Sequence, residues 1–403
     1  MLGGGAGAQV VSIAVLPLLS RLYSPSDFGY FALVVALASL VAPTATLRFE
    51  SAAMLTHEVR RTRGLVWNAL LATVLVAVIY GIVLQLLGIL NILDIAERPL
   101  LPIWVTSSVM LMAFFAVFSQ LSLRDRKYAL VGKRTILRSV STAVVQISLG
   151  VGGRFDAGLL IGNAAGQFVG VSAMYAHVRK YTVFPGWAEM RASWSNYWRF
   201  PAVFAPSALL NSAGLQAPLL VLTFMFGLDA GGQLGMAERV VGIPLTLIGG
   251  AVSQVIDAEV SRVIREKSGH LTNGYVRTSL ALGGLGLISA AAFGLLGPII
   301  LPAVLGEEWQ VAGELVQILA ITSAIRLLAS PLSKYILLLQ AYLANIILDV
   351  SRIVLVATSI AAASILGLNF SAAAWLIYSA LSATYLLTWI YGLFLVRARD
   401  NTP

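Results

Sequence analysis

Apolar residues in this chain come in long unbroken blocks, not in the period-two alternation of strands or the narrow stripes of soluble helices. Blocks of about 20 residues are long enough to cross a bilayer as a helix, and they recur from one end of the chain to the other. They predict about twelve helices, near 2–20, 29–55, 64–90, 101–122, 135–153 and 157–178, then 200–226, 230–256, 276–304, 310–330, 343–367 and 372–396. The longest exceed a bilayer's thickness and are expected to tilt, kink or break. Pro43, Pro206, Pro218, Pro244 and Pro298 mark expected kinks, because proline lacks the N–H that the helical ladder needs.

Composition identifies the solvent. Apolar residues make up 58% of 403 and charged ones 11%, with a mean hydropathy of +0.86; soluble domains carry about 25% charged residues. Such a chain cannot cover its surface with polar groups, so the fold class is all-α integral membrane. Cysteine is absent, which excludes disulfides and thiolate metal sites. No basic residue precedes Arg21 and no small-residue cleavage site precedes the second span, so no cleavable signal peptide is expected.

The net charge of +9 is informative through its placement. The loops after spans 2, 4, 6, 8 and 10 and the C-terminal tail hold most of the Lys and Arg. The hairpins between them hold Arg21, Arg98 and Arg154, and instead show Asp94, Glu97, Asp229, Glu307 and Glu308. Basic loops stay in the cytoplasm, which places both termini there.

The two halves echo each other. Pro17-Leu18-Leu19 is followed by Asp27-Phe28-Gly29, and Pro218-Leu219-Leu220 by Asp229-Ala230-Gly231. Each half offers six spans with the same inside/outside pattern, as in a parallel repeat about an axis along the membrane normal. The expected organisation is an N-terminal lobe over 1–178, a cytoplasmic linker over 179–199 and a C-terminal lobe over 200–403. Trp187, Trp194, Tyr197 and Trp198 stand among basic residues in the linker, a composition suited to the membrane surface. Gly162, Gly166 and Gly170, and Gly3 and Gly7, are spaced by four and read as helix-packing faces.

Several chemistries are missing. There is no G-x-x-x-x-G-K-[ST] phosphate loop. His57, His177 and His270 lie far apart at helix ends without metal-ligand spacing, and the outer loops are too short to build an enzyme's acid, base and acceptor site. Asp27 reads as a turn or cap residue. No catalytic residue, cofactor, metal or nucleic-acid partner is expected, and the chain is not read as an enzyme.

What remains are charges inside the spans, which are costly in hydrocarbon and mark function or a buried partner. Arg239 lies roughly 15 Å into its helix at 1.5 Å per residue, near the midplane; a cavity and a structural carboxylate partner are both open readings. Arg48 and Glu50 sit near the cytoplasmic end of the second span, where an i,i+2 spacing points them to different faces and argues against a mutual ion pair. Arg21 ends the first span as a hairpin cation. Arg138 and Arg326 fall within about a turn of the cytoplasmic face and are expected to snorkel. Asp349 and Arg352 form an i,i+3 pair, with Asp349 alternatively a protonatable coupling site, as Glu50 is. Asp257 and Glu259 are expected to be solvated.

The segments Pro17–Gly29, Leu47–Ala52, Phe200-Pro201 and Gly232–Pro244 resemble bacterial oligosaccharide (O-antigen type) flippases, the polysaccharide-transporter branch of the multidrug/oligosaccharidyl-lipid/polysaccharide exporter superfamily. The resemblance runs over the full length. It implies two six-helix lobes around a central cavity. It also implies translocation of an undecaprenyl-pyrophosphate-linked oligosaccharide across the cytoplasmic membrane, for a surface polysaccharide. In such proteins a cationic cavity is thought to hold the pyrophosphate and acidic sugars, a role that passes here to Arg21, Arg48 and Arg239. The implied partners are the lipid-linked oligosaccharide, the bilayer, and a polymerase and other polysaccharide-assembly proteins. The rival readings are a multidrug exporter of the same superfamily, disfavoured because the deep charges are mainly Arg, and a membrane-embedded polymerase or ligase, disfavoured by the short outer loops.

Overall fold

The computed structural model describes residues 2–90, 98–153, 157–266, 271–339 and 341–400. Side chains are described throughout except at 2–3, 243–247, 251, 254–255, 257–266, 337 and 342. Asp94, Glu97, Arg154 and His270, and the side chains of Pro244, Asp257 and Glu259, therefore lie outside the described residues.

All regular structure among the described residues is helical. Helices α1 (Leu2–Ala14) and α2 (Leu16–Leu22) make up the first span, interrupted at Val15 ahead of Pro17. Helix α3 (Pro25–Ala45) follows, opened by a reciprocal cap. The Ser24 hydroxyl donates to Asp27 Oδ2 at 2.7 Å and accepts from the Asp27 N–H at 3.3 Å, while the Ser24 N–H also reaches Asp27 Oδ2 at 3.0 Å. This is a capping box with proline in the first turn, so Asp27 is a cap. The short α4 (Phe49–Ala52), then α5 (Val59–Ile89), α6 (Leu101–Arg124), α7 (Tyr128–Val151), α8 (Gly158–Val178) and the linker helix α9 (Trp187–Asn196) complete the first half. The second half holds α10 (Ala205–Glu266), α11 (Leu271–Leu305), α12 (Gln310–Leu338), α13 (Tyr342–Ile365) and α14 (Phe370–Asp400).

Helix α10 contains two of the predicted spans. Gly227 has φ 90° and ψ 175°, outside any helix. A Cβ added to Gly231 would sit 2.4 Å from Thr223 Oγ1, whereas a straight helix would hold these residues about 12 Å apart along its axis. The chain therefore folds back at Gly227, a conformation glycine adopts without steric cost. Ten described stretches are long and apolar enough to cross a membrane. One of them, Phe200–Gly242, includes the turn at Gly227, and α7 falls short because Arg134, Arg138 and Gln146 lower its hydropathy. Together these account for the twelve-span pattern.

The chain divides into two compact units, Met1–Tyr23 with Tyr30–Gln216, and Ser24–Gly29 with Ala217–Pro403. In the first, Phe49, Leu65, Val66, Val117, Leu121 and Met174 form a core between α4, α5, α6 and α8. Gly162, Gly166 and Gly170 of α8 press against Gln146, Thr142 and Arg138 of α7 and against Phe115, so they form a packing face. On α1, Gly4 lies against Gly132 and Gly7 against Ile136, which lets α7 approach; the surroundings of Gly3 lie outside the described residues. The inner face of α9 is fastened to α5: Asn68 Nδ2 donates to the Met190 carbonyl at 2.9 Å, and Arg60 pairs with Glu189 at 3.0 Å. Its Trp187 and Trp194 are exposed.

At the polar end of α6, Asp125 is held by Lys180 Nζ at 2.8 Å and by the Tyr181 hydroxyl at 2.6 Å, while Arg124 Nη2 donates to the Thr56 carbonyl at 2.6 Å. Burial pushes the Asp125 carboxyl up, but the bonds from Lys180 and Tyr181 and the charges of Lys180 and Arg124 outweigh it and leave the group below its ordinary value. A lowered folded value makes the contribution full above the ordinary 3.8 and removes it as pH falls through the folded value. Asp125→Asn is therefore expected to lower the melting temperature at neutral pH and to match the parent once pH falls below that window; a constant gap down to the acid limit would refute this.

The second unit joins two of the segments that carry the family resemblance. A Cβ on Gly29 would lie 1.8 Å from the Leu228 carbonyl oxygen, and one on Gly232 1.8 Å from the Pro25 carbonyl oxygen. Only glycine permits this crossing of the α3 start with the second limb of α10. Phe28 is buried edge-on against Trp309, with ring centres 5.2 Å apart. Gln233 binds the start of α12, donating to the Glu308 carbonyl at 2.5 Å and accepting from the Ala312 N–H at 2.8 Å. Gly29→Val is expected to force the two backbones apart at a cost of about 1–3 kcal/mol or more. A variant that melts and purifies like the parent would contradict the crossing.

Candidate functional site

Arg21 lies in the last turn of α2 and is exposed. Arg48 sits where the second predicted span breaks. Leu47 and Arg48 have φ of 49° and 62°, left-handed values that cost a side-chain-bearing residue of order 1–3 kcal/mol. Because that stretch is not helical, the i,i+2 argument against a pair fails: Arg48 Nη1 lies 3.7 Å from Glu50 Oε1. Glu50 is buried. It accepts from Thr46 Oγ1 at 2.5 Å and Ser51 Oγ at 3.2 Å. Arg48 remains 37% exposed, and its Nε is buried without a hydrogen-bond partner among the described residues. The break thus presents a guanidinium whose bonding capacity is only partly used.

Arg239 lies roughly 18 Å along α10 from the turn at Gly227, at 1.5 Å per residue. Its guanidinium carbon is 5.8 Å from the centre of the Phe28 ring, a cation–π contact within reach of the α3–α10 crossing. The neighbouring Glu238, which the sequence reading passed over, accepts from the Tyr378 hydroxyl of α14 at 2.5 Å. Tyr378 in turn belongs to a polar ladder: Ser382 Oγ donates to the Tyr378 carbonyl at 2.8 Å and to Thr322 Oγ1 at 3.0 Å. The signal for Glu238 was its place beside Arg239 in a span with few other charges.

Two further cations sit well inside long helices. Helix α12 continues to Leu338, so Arg326 is about 18 Å from its last residue. Arg326 lines a cavity of ≈ 190 Å³ between α10 and α12. Helix α7 starts at Tyr128, so Arg138 is about 15 Å from that end, with its guanidinium 4.9 Å from the Phe115 ring centre. On α13, Arg352 Nη2 pairs with Asp349 Oδ1 at 3.2 Å, Asn345 Nδ2 donates to Asp349 Oδ2 at 3.1 Å, and the Tyr385 ring lies 5.6 Å from the guanidinium carbon. Arg21, Arg48 and Glu50 belong to the first unit, and Arg239, Asp349 and Arg352 to the second. Among the described residues no group of three or more His, Cys, Asp or Glu is arranged to hold a metal ion.

An all-helical chain of this kind, with charges inside its spans, is a multi-pass membrane protein. Solved structures place its fold among transporters. The lipid II flippase MurJ, in an inward closed conformation, is similar over 98% of this chain and 88% of its own, with a TM-score of 0.72 and 13% identity. A multidrug resistance MATE family transporter of the MOP superfamily is similar in its inward-facing form (TM-score 0.57, 16% identity, 100% of this chain and 96% of that one). Its outward-facing form is also similar (TM-score 0.58, 13% identity, 100% and 95%). The chain thus shares the two-lobe, twelve-helix fold of these structures. The profile of a family described as polysaccharide biosynthesis protein matches residues 18–314, and the chain belongs to that family. Among curated proteins no match was found.

Tyr378→Phe leaves a Glu238 oxygen without its donor, a loss of about 1–3 kcal/mol for a buried acceptor. The expected result is a lower melting temperature in detergent; an unchanged one would mean that the bond is not formed in the folded protein.

Proposed function

We propose that this chain flips an undecaprenyl-pyrophosphate-linked oligosaccharide repeat unit from the cytoplasmic to the outer leaflet of the bacterial cytoplasmic membrane, for surface polysaccharide assembly. The observation that carries the reading is the pairing of a polysaccharide-biosynthesis family with a transporter fold. A protein that serves polymer assembly and is built to move a cargo acts where a polar sugar has to cross hydrocarbon. The lipid tail can remain in the bilayer, and only the head group needs a polar path.

Arg21, Arg48 and Arg239 are the residues proposed to line that path. Guanidinium groups stay charged and offer bidentate donors that match phosphate oxygens, and Arg48 keeps an unused buried N–H. Alternating exposure of the path by two rocking lobes, over 1–178 and 200–403 with the 179–199 linker between them, accounts for transport without an enzymatic step. Both termini face the cytoplasm in this scheme, and a polymerase receives the product outside. Glu50, Asp349 and Arg352 are the coupling candidates. The exporter alternative draws on Glu238, a carboxylate far along α10. Its bond from Tyr378 would have to be displaced by a cationic cargo, which favours the flippase.

Arg48→Ala and Arg239→Ala are expected to lower transport by about 10–100-fold, the loss of one charge-assisted bond to the cargo. For Arg48 the effect on stability should stay below about 1 kcal/mol, since its pair is long and partly exposed. Lipid extracts of a strain carrying either variant should accumulate complete repeat units on the cytoplasmic leaflet. Normal surface polymer from both would overturn the role of these arginines. Repeat units that reach the outer leaflet unpolymerised would overturn flipping itself.

A further inference from the structure

The second unit contains a cavity that none of the roles above uses. Two helix faces flank it, Ser323, Arg326 and Ser330 of α12 and Gly242, Gly250 and Ser253 of α10, and it is open on one side, with Arg326, Ser330 and Gly250 exposed. The α12 residues are spaced by three and four, and so share one face of the helix. At ≈ 190 Å³ the space is well below the about 300–1,000 Å³ of sites for drug-sized ligands, and suits one compact polar group.

The polar lining is rich in donors. Arg326 brings a guanidinium with five N–H groups, and the three serines bring hydroxyls that can donate. Among the described residues Arg326 forms no ion pair. Among the described residues a carboxylate in its electrostatic range is Glu238, whose Oε1 is engaged by Tyr378. A Cβ on either Gly242 or Gly250 would meet nothing within 4 Å, so the space beside these glycines is open and not filled by a neighbouring side chain.

We propose that this cavity binds a phosphoryl group, held by Arg326 in bidentate fashion and by hydroxyls from both helices. Donors converging from two helices fit an anion with oxygens in several directions, and guanidinium geometry matches phosphate. Two sources share this chemistry: the head group of an anionic phospholipid, and the phosphoryl end of the lipid-linked cargo. Only the second rests on the flippase reading, and phosphoryl binding itself requires no transport.

The test uses the full chain in dodecyl maltoside, titrated calorimetrically with inorganic pyrophosphate. It is run in an Arg48→Ala/Arg239→Ala background, so that failure of those arginines and failure of this pocket are separate results. The background protein should bind pyrophosphate. Adding Arg326→Ala should weaken that binding at least tenfold, and Arg326→Lys should weaken it less. Gly250→Leu, whose added carbons start in open space, should weaken it as strongly as Arg326→Ala while leaving the melting temperature near the parent's. Loss of pyrophosphate binding on adding phosphatidylglycerol assigns the pocket to a lipid head group; retention assigns it to the cargo. Absence of binding in the background protein, or equal binding after Arg326→Ala or Gly250→Leu, would overturn the proposal.

Discussion

An ionised group in hydrocarbon has no water to answer it, and this constraint organises much of the chain's interior. The inward-lying charges are met in several ways. Glu50 is met by Thr46, Ser51 and Arg48 at a break in the backbone. Asp349 is met by Arg352 and Asn345 along one helix, and Glu238 by a tyrosine from another helix. Arg138 and Arg239 rest on aromatic rings. Carboxylates are thus answered by donors, and two of the guanidiniums by the faces of aromatic rings.

The same constraint shapes the backbone. Two consecutive left-handed residues, Leu47 and Arg48, would be costly in an ordinary loop. Here they turn Glu50 inward to Thr46 and leave the Arg48 head half in the open. The crossing at Gly29 and Gly232 does comparable work in the second unit. By removing side chains where α3 and α10 touch, it lets Phe28 bury against Trp309 and sets its ring beneath Arg239. The motif Asp27-Phe28-Gly29 is thereby explained without direct contact to a cargo: a cap, a buried aromatic and a close approach.

The architecture was largely legible in the sequence because it depends on the length of apolar blocks, which survive any detail of packing. Spans 64–90 and 101–122 needed only small adjustment to α5 and α6. Helix ends were harder to read. The predicted spans stop where polarity rises, whereas the helices run on to Leu338 and back to Tyr128. Hydropathy marks where a helix leaves hydrocarbon, whereas the helix itself ends where its hydrogen bonds run out. Pairing was harder still. The Arg48–Glu50 contact exists because the helix breaks between Ala45 and Phe49, and no periodicity rule applies across a break.

Glu238 illustrates the remaining gap. Side chains at i and i+1 diverge on a helix, so beside its attraction to Arg239 the Glu238 carboxylate takes its hydrogen bond from Tyr378, while the Arg239 guanidinium rests near the Phe28 ring. The consequence reaches Arg326. With Glu238 tied to α14, the cation on α12 faces a cavity lined by serine and glycine, without an ion pair among the described residues. A tyrosine 140 positions away therefore helps decide whether an arginine is spent on structure or left with donors for a ligand. That dependence lies in tertiary packing, which a one-dimensional reading of charges cannot reach.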